Sequence, residues 1–242
     1  MSEFADLYFS RAHALIAHAR TVNAPVLKKL GEVMGKSVAE GGVIHSFGSG
    51  HSEVIAREII GRAGGLVCVT GLYDTTGGFI ENLVGYGTKM VERYDRQYQL
   101  RPGETIIVIS NSGKNSSPLE VALYAKEKGL TVIGLTCVAM SSTAATVHPG
   151  RKKLHEIANY TLDNCGSVGD AQVDTGGGVM AGPTSTVVGA MLLNLLSLEI
   201  TQWLRDHGHN PPILRSQNLP GAIEYNRELG RKYAGRLSRQ LA

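Results

Sequence analysis

The chain has little of what marks a specialised scaffold. Its 242 residues include three cysteines, Cys68, Cys137 and Cys165. They form an odd, widely spaced set without a CxxC pair, which argues against a disulfide framework or a structural zinc site. A reducing, cytoplasmic setting is the simplest expectation, and no metal or cofactor is expected. Charge of one sign is also scarce. Lys and Arg total 24 against 21 Asp and Glu, a formal charge of +3, and the basic residues are dispersed, so no nucleic-acid partner is expected. Met1 to Phe9 carries Glu3 and Asp6 rather than the flanks of a signal peptide. The apolar run at residues 187–200 is interrupted by Asn194 and Glu199. It reads as too short and too polar for a bilayer span, so no membrane partner is expected, and a buried or subunit-facing helix is. Repeats, low-complexity tracts and linker-like stretches are missing, which points to one domain over residues 1–242.

Apolar spacing organises what is present. Phe4, Leu7, Tyr8, Leu15, Ile16, Ala19 and Val22 mark one amphipathic helix. Val26, Leu27, Leu30, Val33, Met34 and Val38 mark a second, with Pro25 in its first turn, so a helical hairpin over about residues 1–40 is predicted. After Gly41-Gly42 come five short apolar runs, at 43–47, 66–70, 105–110, 131–136 and 160–163. Helical spacing separates most of them, at 51–62, 116–128 and 152–158. Strands alternating with helices imply parallel pairing in a three-layer α/β domain. A glycine-rich turn region at 164–183 follows. A helix apolar nearly all round then runs to about Arg205, and an amphipathic helix starts near Ala222, giving a C-terminal helical extension over about 184–242. Val187, Val188, Met191, Leu192, Leu195, Leu196, Leu198 and Trp203 exceed what one sheet face can cover, and a homodimer or homotetramer is expected.

The most informative stretch is Ser110-Asn111-Ser112-Gly113-Lys114-Asn115-Ser116, which follows the β-branched run Thr105 to Ile109 and precedes a helical pattern. At the carboxyl end of a strand and the amino end of a helix, backbone N–H groups and a partial positive charge suit a phosphate, and Ser110, Ser112, Asn115 and Ser116 add neutral hydrogen bonds. Helix capping alone would need one such residue. The first strand ends in a second turn, Gly48-Ser49-Gly50-His51-Ser52-Glu53, whose glycines let backbone approach a ligand. Position 53 is Glu where GxGxxG needs glycine, and GxxxxGK[ST] is absent, so NAD and ATP are not expected. The two turns would converge above the sheet into a polar crevice for a small phosphorylated ligand.

These residues carry a family resemblance. Gly48-Ser49-Gly50-His51-Ser52, the loop Ser110 to Asn115, and Lys128-Gly129-Leu130-Thr131-Val132-Ile133-Gly134-Leu135-Thr136 resemble the SIS (sugar isomerase) domain over roughly residues 25–205. The resemblance implies an αβα sandwich with a five-stranded parallel sheet, dimeric assembly, and a phosphorylated sugar held by Ser110, Ser112 and Asn115. Asn115 is a departure, since relatives such as phosphoheptose isomerase have Ser or Thr there. Gly182-Pro183-Thr184-Ser185-Thr186 is similar to a stretch of the N-acetylmuramic acid 6-phosphate etherase branch, and the length and Asp163-Asn164-Cys165-Gly166 are most similar to a stand-alone SIS branch.

Aldose–ketose isomerisation needs a base that moves a proton between adjacent carbons and a group that handles oxygen. His51 lies in the first turn and Glu58 is placed to share its side of the following helix. Alternatively, Glu58 is a surface partner of Arg57 or Arg62. Glu81, after the second strand, stands where SIS enzymes often place an acid or base. Gly50, His51, Ser52 and Asn111 complete the expected substrate-binding set. His155 reads as a solvent-facing helix residue, and Asp163, Asp170 and Asp174 as turn formers. Cys165 would be a nucleophile only with a nearby base. An isomerase acting on a sugar phosphate is the leading expectation. The alternatives are a lyase on an N-acetylated amino-sugar phosphate and a sugar-phosphate sensor without turnover.

Overall fold

The β-branched run Thr105–Ile109 has side chains that alternate between two faces, and both faces are covered. Ile107 and Ile109 enter one apolar cluster, Ile106 and Val108 the other. The strand, β3, is the centre of a five-stranded parallel sheet in the computed structural model, which describes residues 1–238. In chain order the elements are α1 (Glu3–Ala39), β1 (Ile44–Gly48), α2 (Ser52–Glu58), β2 (Val69–Tyr73), α3 (Tyr86–Tyr98), β3 and α4 (Ser116–Glu127). Then follow β4 (Thr131–Thr136), α5 (Val138–Thr143), α6 (Leu154–Ile157), β5 (Tyr160–Asp163), β6 (Ala171–Asp174), β7 (Met180–Pro183), α7 (Ser185–Asp206) and α8 (Ala222–Arg231). The sheet runs β2-β1-β3-β4-β5, with Ile44 opposite both Val69 and Thr105. Helices α1, α2 and α7 cover one face; α3, α4 and α6 cover the other. Chain connections diverge from β1 and β3, so the switch point of the sheet lies between them.

Four expectations need correction. The N-terminal hairpin is one 37-residue helix that runs through Pro25. An interior proline costs about 3 kcal/mol. One continuous stripe offsets it: Ala12, Ala19, Asn23, Leu27, Leu30, Met34 and Val38 are all buried on the same side, and a break at Pro25 would turn half of that stripe away from α7. The two helices approach so closely that a Cβ at Gly35 would stand 2.4 Å from the Trp203 ring. The second apolar run is only partly strand. β2 begins at Val69, and Leu66 instead bridges to Ile213. The glycine-rich region contains the antiparallel hairpin β6–β7. Finally, α7 has 22 residues and is long and apolar enough, by length and composition, to cross a membrane. Its packing gives it a different place: Val188, Leu192, Leu196, Ile200 and Leu204 are buried in the cluster shared with α1 and α2, while Val187 and Leu198 stay exposed.

Helix α3 escapes apolar patterning because its exposed face is strongly polar, and it is anchored by a partner. The buried Glu120 carboxylate of α4 accepts hydrogen bonds from the Gly85 and Thr88 amides at its amino end.

At the amino end of the sheet a second buried carboxylate ties down the C-terminal segment. Glu104 accepts from Val43 N–H at 3.0 Å and from Arg236 through both oxygens at 2.8 Å, and His45 Nε2 lies 3.1 Å away. Arg236 also donates to the carbonyls of Tyr98 and Gln99. Burial pushes the Glu104 carboxyl up, but the hydrogen bonds from His45 and Arg236 outweigh it and hold the group below its ordinary value. Burial holds His45 below its ordinary value too. Both groups bind protons more readily in the unfolded chain, so stability is full above the ordinary His value of 6.5 and falls as the pH drops below it. Arg236→Ala is expected to cost about 3–5 kcal/mol by stranding a buried carboxylate. Urea unfolding of the variant should show it, and the wild-type midpoint should decline from pH 6.5 toward pH 4. An Arg236→Ala midpoint equal to wild type would contradict the reading.

Candidate active site

The turns after β1 and β3 meet at the switch point, and the loop after β2 forms the third wall of a cleft of about 430 Å³. Ser49, Gly50, His51 and Ser52 line it from the first turn, Gly77, Gly78, Phe79 and Glu81 from the second, and Ser110, Asn111, Ser112 and Asn115 from the third, with Met140 of α5. The expected convergence is therefore present, and nearly every expected site residue lies in it. Among the described residues, His51 is the only lining side chain able to carry positive charge.

Asp74, which pattern reading passed over, organises the cleft. It is 4% exposed. Its Oδ2 accepts from Ser49 Oγ at 3.0 Å and Gly78 N–H at 3.2 Å; its Oδ1 accepts from Thr76 N–H at 2.9 Å, Thr76 Oγ1 at 2.7 Å and the Tyr86 hydroxyl at 2.8 Å. Burial raises its pKa, but these donors together outweigh burial and hold it below the ordinary carboxylate value. The loops are drawn so close that a Cβ on Gly78 would come within 2.9 Å of the Gly50 nitrogen. An aspartate at a strand's carboxyl end, two residues before a threonine, is an Asx-turn signature, and that signal was available in Asp74-Thr75-Thr76-Gly77-Gly78.

The loop after β3, expected to cradle a phosphate, differs in detail from expectation. The first N–H groups of α4 are not free: Ser117 N–H donates to the Glu81 carbonyl at 2.8 Å and Ser116 N–H to Asn82 Oδ1 at 3.4 Å. Ser116 itself is fully buried behind the cleft, its hydroxyl on the Asn82 carbonyl. The open donors lie one step earlier. Among the described residues, the amides of Ser112, Lys114 and Asn115 donate to no protein acceptor. Asn115 donates from its side chain to Glu81 Oε1 at 2.5 Å, which fixes that carboxylate at the cleft wall. Asn111 is held through its Oδ1, which accepts from Asn164 Nδ2 at 2.7 Å.

Glu58 does not reach the cleft. It lies in the last turn of α2 and pairs with Arg62, as the surface alternative held, and Asn194 donates to the same oxygen. His155 contacts Ser141 Oγ at 3.1 Å away from the cleft. The Thr184 to Thr186 stretch is also outside it, and Asp170 accepts from the amides of Thr184 and Ser185 and from the Ser185 hydroxyl. That helix end already holds a carboxylate and has no call on a second anion. Asp163 and Asp174 likewise accept amide bonds in turns. Burial, followed by the Asp163 carboxylate, pushes the Cys165 thiol up to about 11, so it is no thiolate nucleophile at neutral pH.

Comparison with solved structures finds the same fold in several proteins. The fold is similar to a phosphoheptose isomerase from Francisella tularensis, with a TM-score of 0.59 and 15% identity over 84% of this chain and 100% of that one. It is similar also to phosphoheptose isomerase from Neisseria gonorrhoeae, with a TM-score of 0.53 and 17% identity over 82% and 97%. The Vibrio vulnificus NanR protein, solved with ManNAc-6P, matches at a TM-score of 0.51 and 14% identity over 99% and 72%. In sequence, the SIS domain model matches residues 7–137. A UPF0309 protein of Caldanaerobacter subterraneus is 33% identical over 96% of this chain and 98% of its own length. One from Listeria monocytogenes is 34% identical over 95% and 97%. The chain belongs to the SIS domain family.

Asp74→Ala should loosen the loops without unfolding the sheet. Amides at Thr76 and Gly78 are expected to exchange with deuterium at least about tenfold faster, given roughly 1.5–3 kcal/mol for a hydrogen bond to a charged group, while β3 amides keep their protection. Unchanged exchange at both positions would remove Asp74 from this role.

Proposed function

We propose that the cleft binds a phosphorylated sugar and interconverts its aldose and ketose forms. The observation that carries the reading is the division of the cleft into a donor side and an acceptor side. The loop after β3 offers the open amides of the cleft-lining Ser112 and Asn115, with the Ser110 and Ser112 hydroxyls beside them. These suit phosphate oxygens. From the loop after β1, Ser49 donates its hydrogen bond to Asp74 and presents lone pairs to sugar hydroxyls, with His51 lining the same cleft, while Glu81 is bonded to Asn115 of the donor loop.

With the phosphate on the donor side, the carbonyl end of an open-chain sugar extends toward Glu81. Asn115 holds Glu81 Oε1, which leaves Oε2 for the substrate. Glu81 removes the proton from C2 of the aldose, and the C–H electron pair becomes the C1–C2 double bond of an enediol as O1 takes a proton. Return of the carbon-bound proton to C1 and loss of the O2 proton leave the ketose. His51, the other ionisable side chain on the wall, carries the proton between O1 and O2. The relatives in fold include proteins described as phosphoheptose isomerases, which supports this chemistry. A lyase has less support, since Thr184 to Thr186 lie outside the cleft. NanR, solved with ManNAc-6P, makes a binding-only sensor the second reading.

Ser112→Ala removes one donor to a charged partner and is expected to weaken sugar-phosphate binding about tenfold. Titration calorimetry with matched phosphorylated and unphosphorylated sugars checks it, and equal affinity of the wild type for the two would refute the phosphate site. Glu81→Gln keeps the shape and removes the base. It should abolish deuterium incorporation from D₂O at the carbon next to the carbonyl while sugar-phosphate affinity stays within about threefold. Binding by the wild type without any exchange would replace the isomerase with the sensor.

A further inference from the structure

We propose that the groove between α3 and the outer edge of β2 is a second binding site, taking a planar aromatic anion of the nucleoside monophosphate class. Strand β2 ends the sheet, and among the described residues no strand pairs its outer edge, where the Gly71 amide donates to Ser238 Oγ at 3.1 Å; α3 runs beside it. The space between them is about 400 Å³, within the range of small-ligand sites. Its wall chemistry is specific: four tyrosines, Tyr73, Tyr86, Tyr94 and Tyr98, surround it, two cations reach it, and among the described residues no carboxylate lines it. Lys89 and Arg93 are four residues apart and share one face of α3. Among the described residues Arg93 has no carboxylate partner, whereas Lys89 pairs with Glu92 at 2.9 Å in an exposed contact that costs little to exchange.

The aromatic wall is set before any ligand arrives. Tyr94 and Tyr98 pack with ring centroids 4.9 Å apart, and Tyr94 Oη lies 2.9 Å from the buried His45 Nδ1. Tyr94 is buried and Arg57 already lies over the Tyr73 ring at 4.4 Å, so the half-buried rings of Tyr86 and Tyr98 offer the stacking surface to a base, and the paired cations offer a place for its phosphate. An unsubstituted phosphate would leave the tyrosines unused, and a neutral nucleoside would leave Arg93 unused.

The groove shares a wall with the first cleft. The Tyr86 ring lines the groove, its hydroxyl donates to Asp74 at 2.8 Å, and Asp74 accepts from the cleft-lining Ser49 at 3.0 Å. A ligand seated against Tyr86 thus acts on the carboxylate that holds the cleft loops, and occupancy of one site alters affinity at the other. This coupling rests on the sugar-phosphate reading of the cleft; binding in the groove does not.

Titration calorimetry on the full chain with AMP, GMP, CMP and UMP, against adenosine, inorganic phosphate and ribose 5-phosphate, tests the site. At least one nucleotide is expected to bind at least tenfold more tightly than adenosine or phosphate. Arg93→Ala should weaken that binding at least tenfold and leave sugar-phosphate affinity unchanged. Tyr86→Phe should keep nucleotide binding but lose its effect on sugar-phosphate affinity. No nucleotide binding at millimolar concentration overturns the proposal. So does nucleotide binding that survives Arg93→Ala and is lost in Ser112→Ala, because the ligand would then occupy the first cleft through its phosphate.

Discussion

The Asp74 carboxylate accepts five hydrogen bonds from four residues on two loops and one helix. A buried charge that lost these donors would pay a desolvation cost of several kcal/mol, so the chain around it has few arrangements open to it. The cleft depends on that constraint. Ser49 keeps one orientation because its proton is committed, and Gly78 is pulled against Gly50, where no larger residue fits. The acceptor character of one wall follows from a group that does not itself line the cleft.

Other buried carboxylates fasten neighbouring parts of the molecule. Glu120 caps α3 from across the helix layer, and Glu104 at the opposite end of the sheet binds Arg236 from the C-terminal segment. Glu81, on the cleft wall, is held by Asn115, and its backbone carbonyl caps α4. In the first two cases a side chain from one element satisfies donors of another far away in sequence. The apolar clusters supply most of the burial, but they tolerate small sliding; directional bonds to charge do not. The polar fasteners therefore set the positions of the loops and the C-terminal segment on a sheet that the apolar residues assemble.

The open amides of Ser112 and Asn115 show how a donor loop is built from sequence and tertiary contact together. Strand–turn–helix placement delivers the loop to the carboxyl edge of the sheet. Which of its donors stay open is settled by the segment at Glu81 and Asn82, which takes the first amides of α4 and leaves those before it.

The parallel sheet, the alternation of layers and the location of the cleft were legible because β-branched runs and turn residues act locally: a strand's burial and a turn's backbone needs are written in neighbouring residues. His51 and Ser112 were expected at the cleft for the same reason, each lying just beyond a strand end, and Glu81 through the family resemblance; all three line it. The unbroken course of α1 through Pro25 was not legible, since a proline looks like a boundary until the buried stripe on both sides is known. Glu58 has the spacing to face a cleft, yet it pairs with Arg62 because the short helix α2 ends there. Glu120 and Arg236 act across long stretches of chain, and no periodicity marks such partners, whereas Asp74 carried a local turn signal that says nothing of its bond to Ser49. Sequence alone determined the sheet, its order of layers and the residue types at its carboxyl edge. Only tertiary structure decided which polar groups remain open to a ligand, because that depends on which donors and acceptors from distant segments have already satisfied one another.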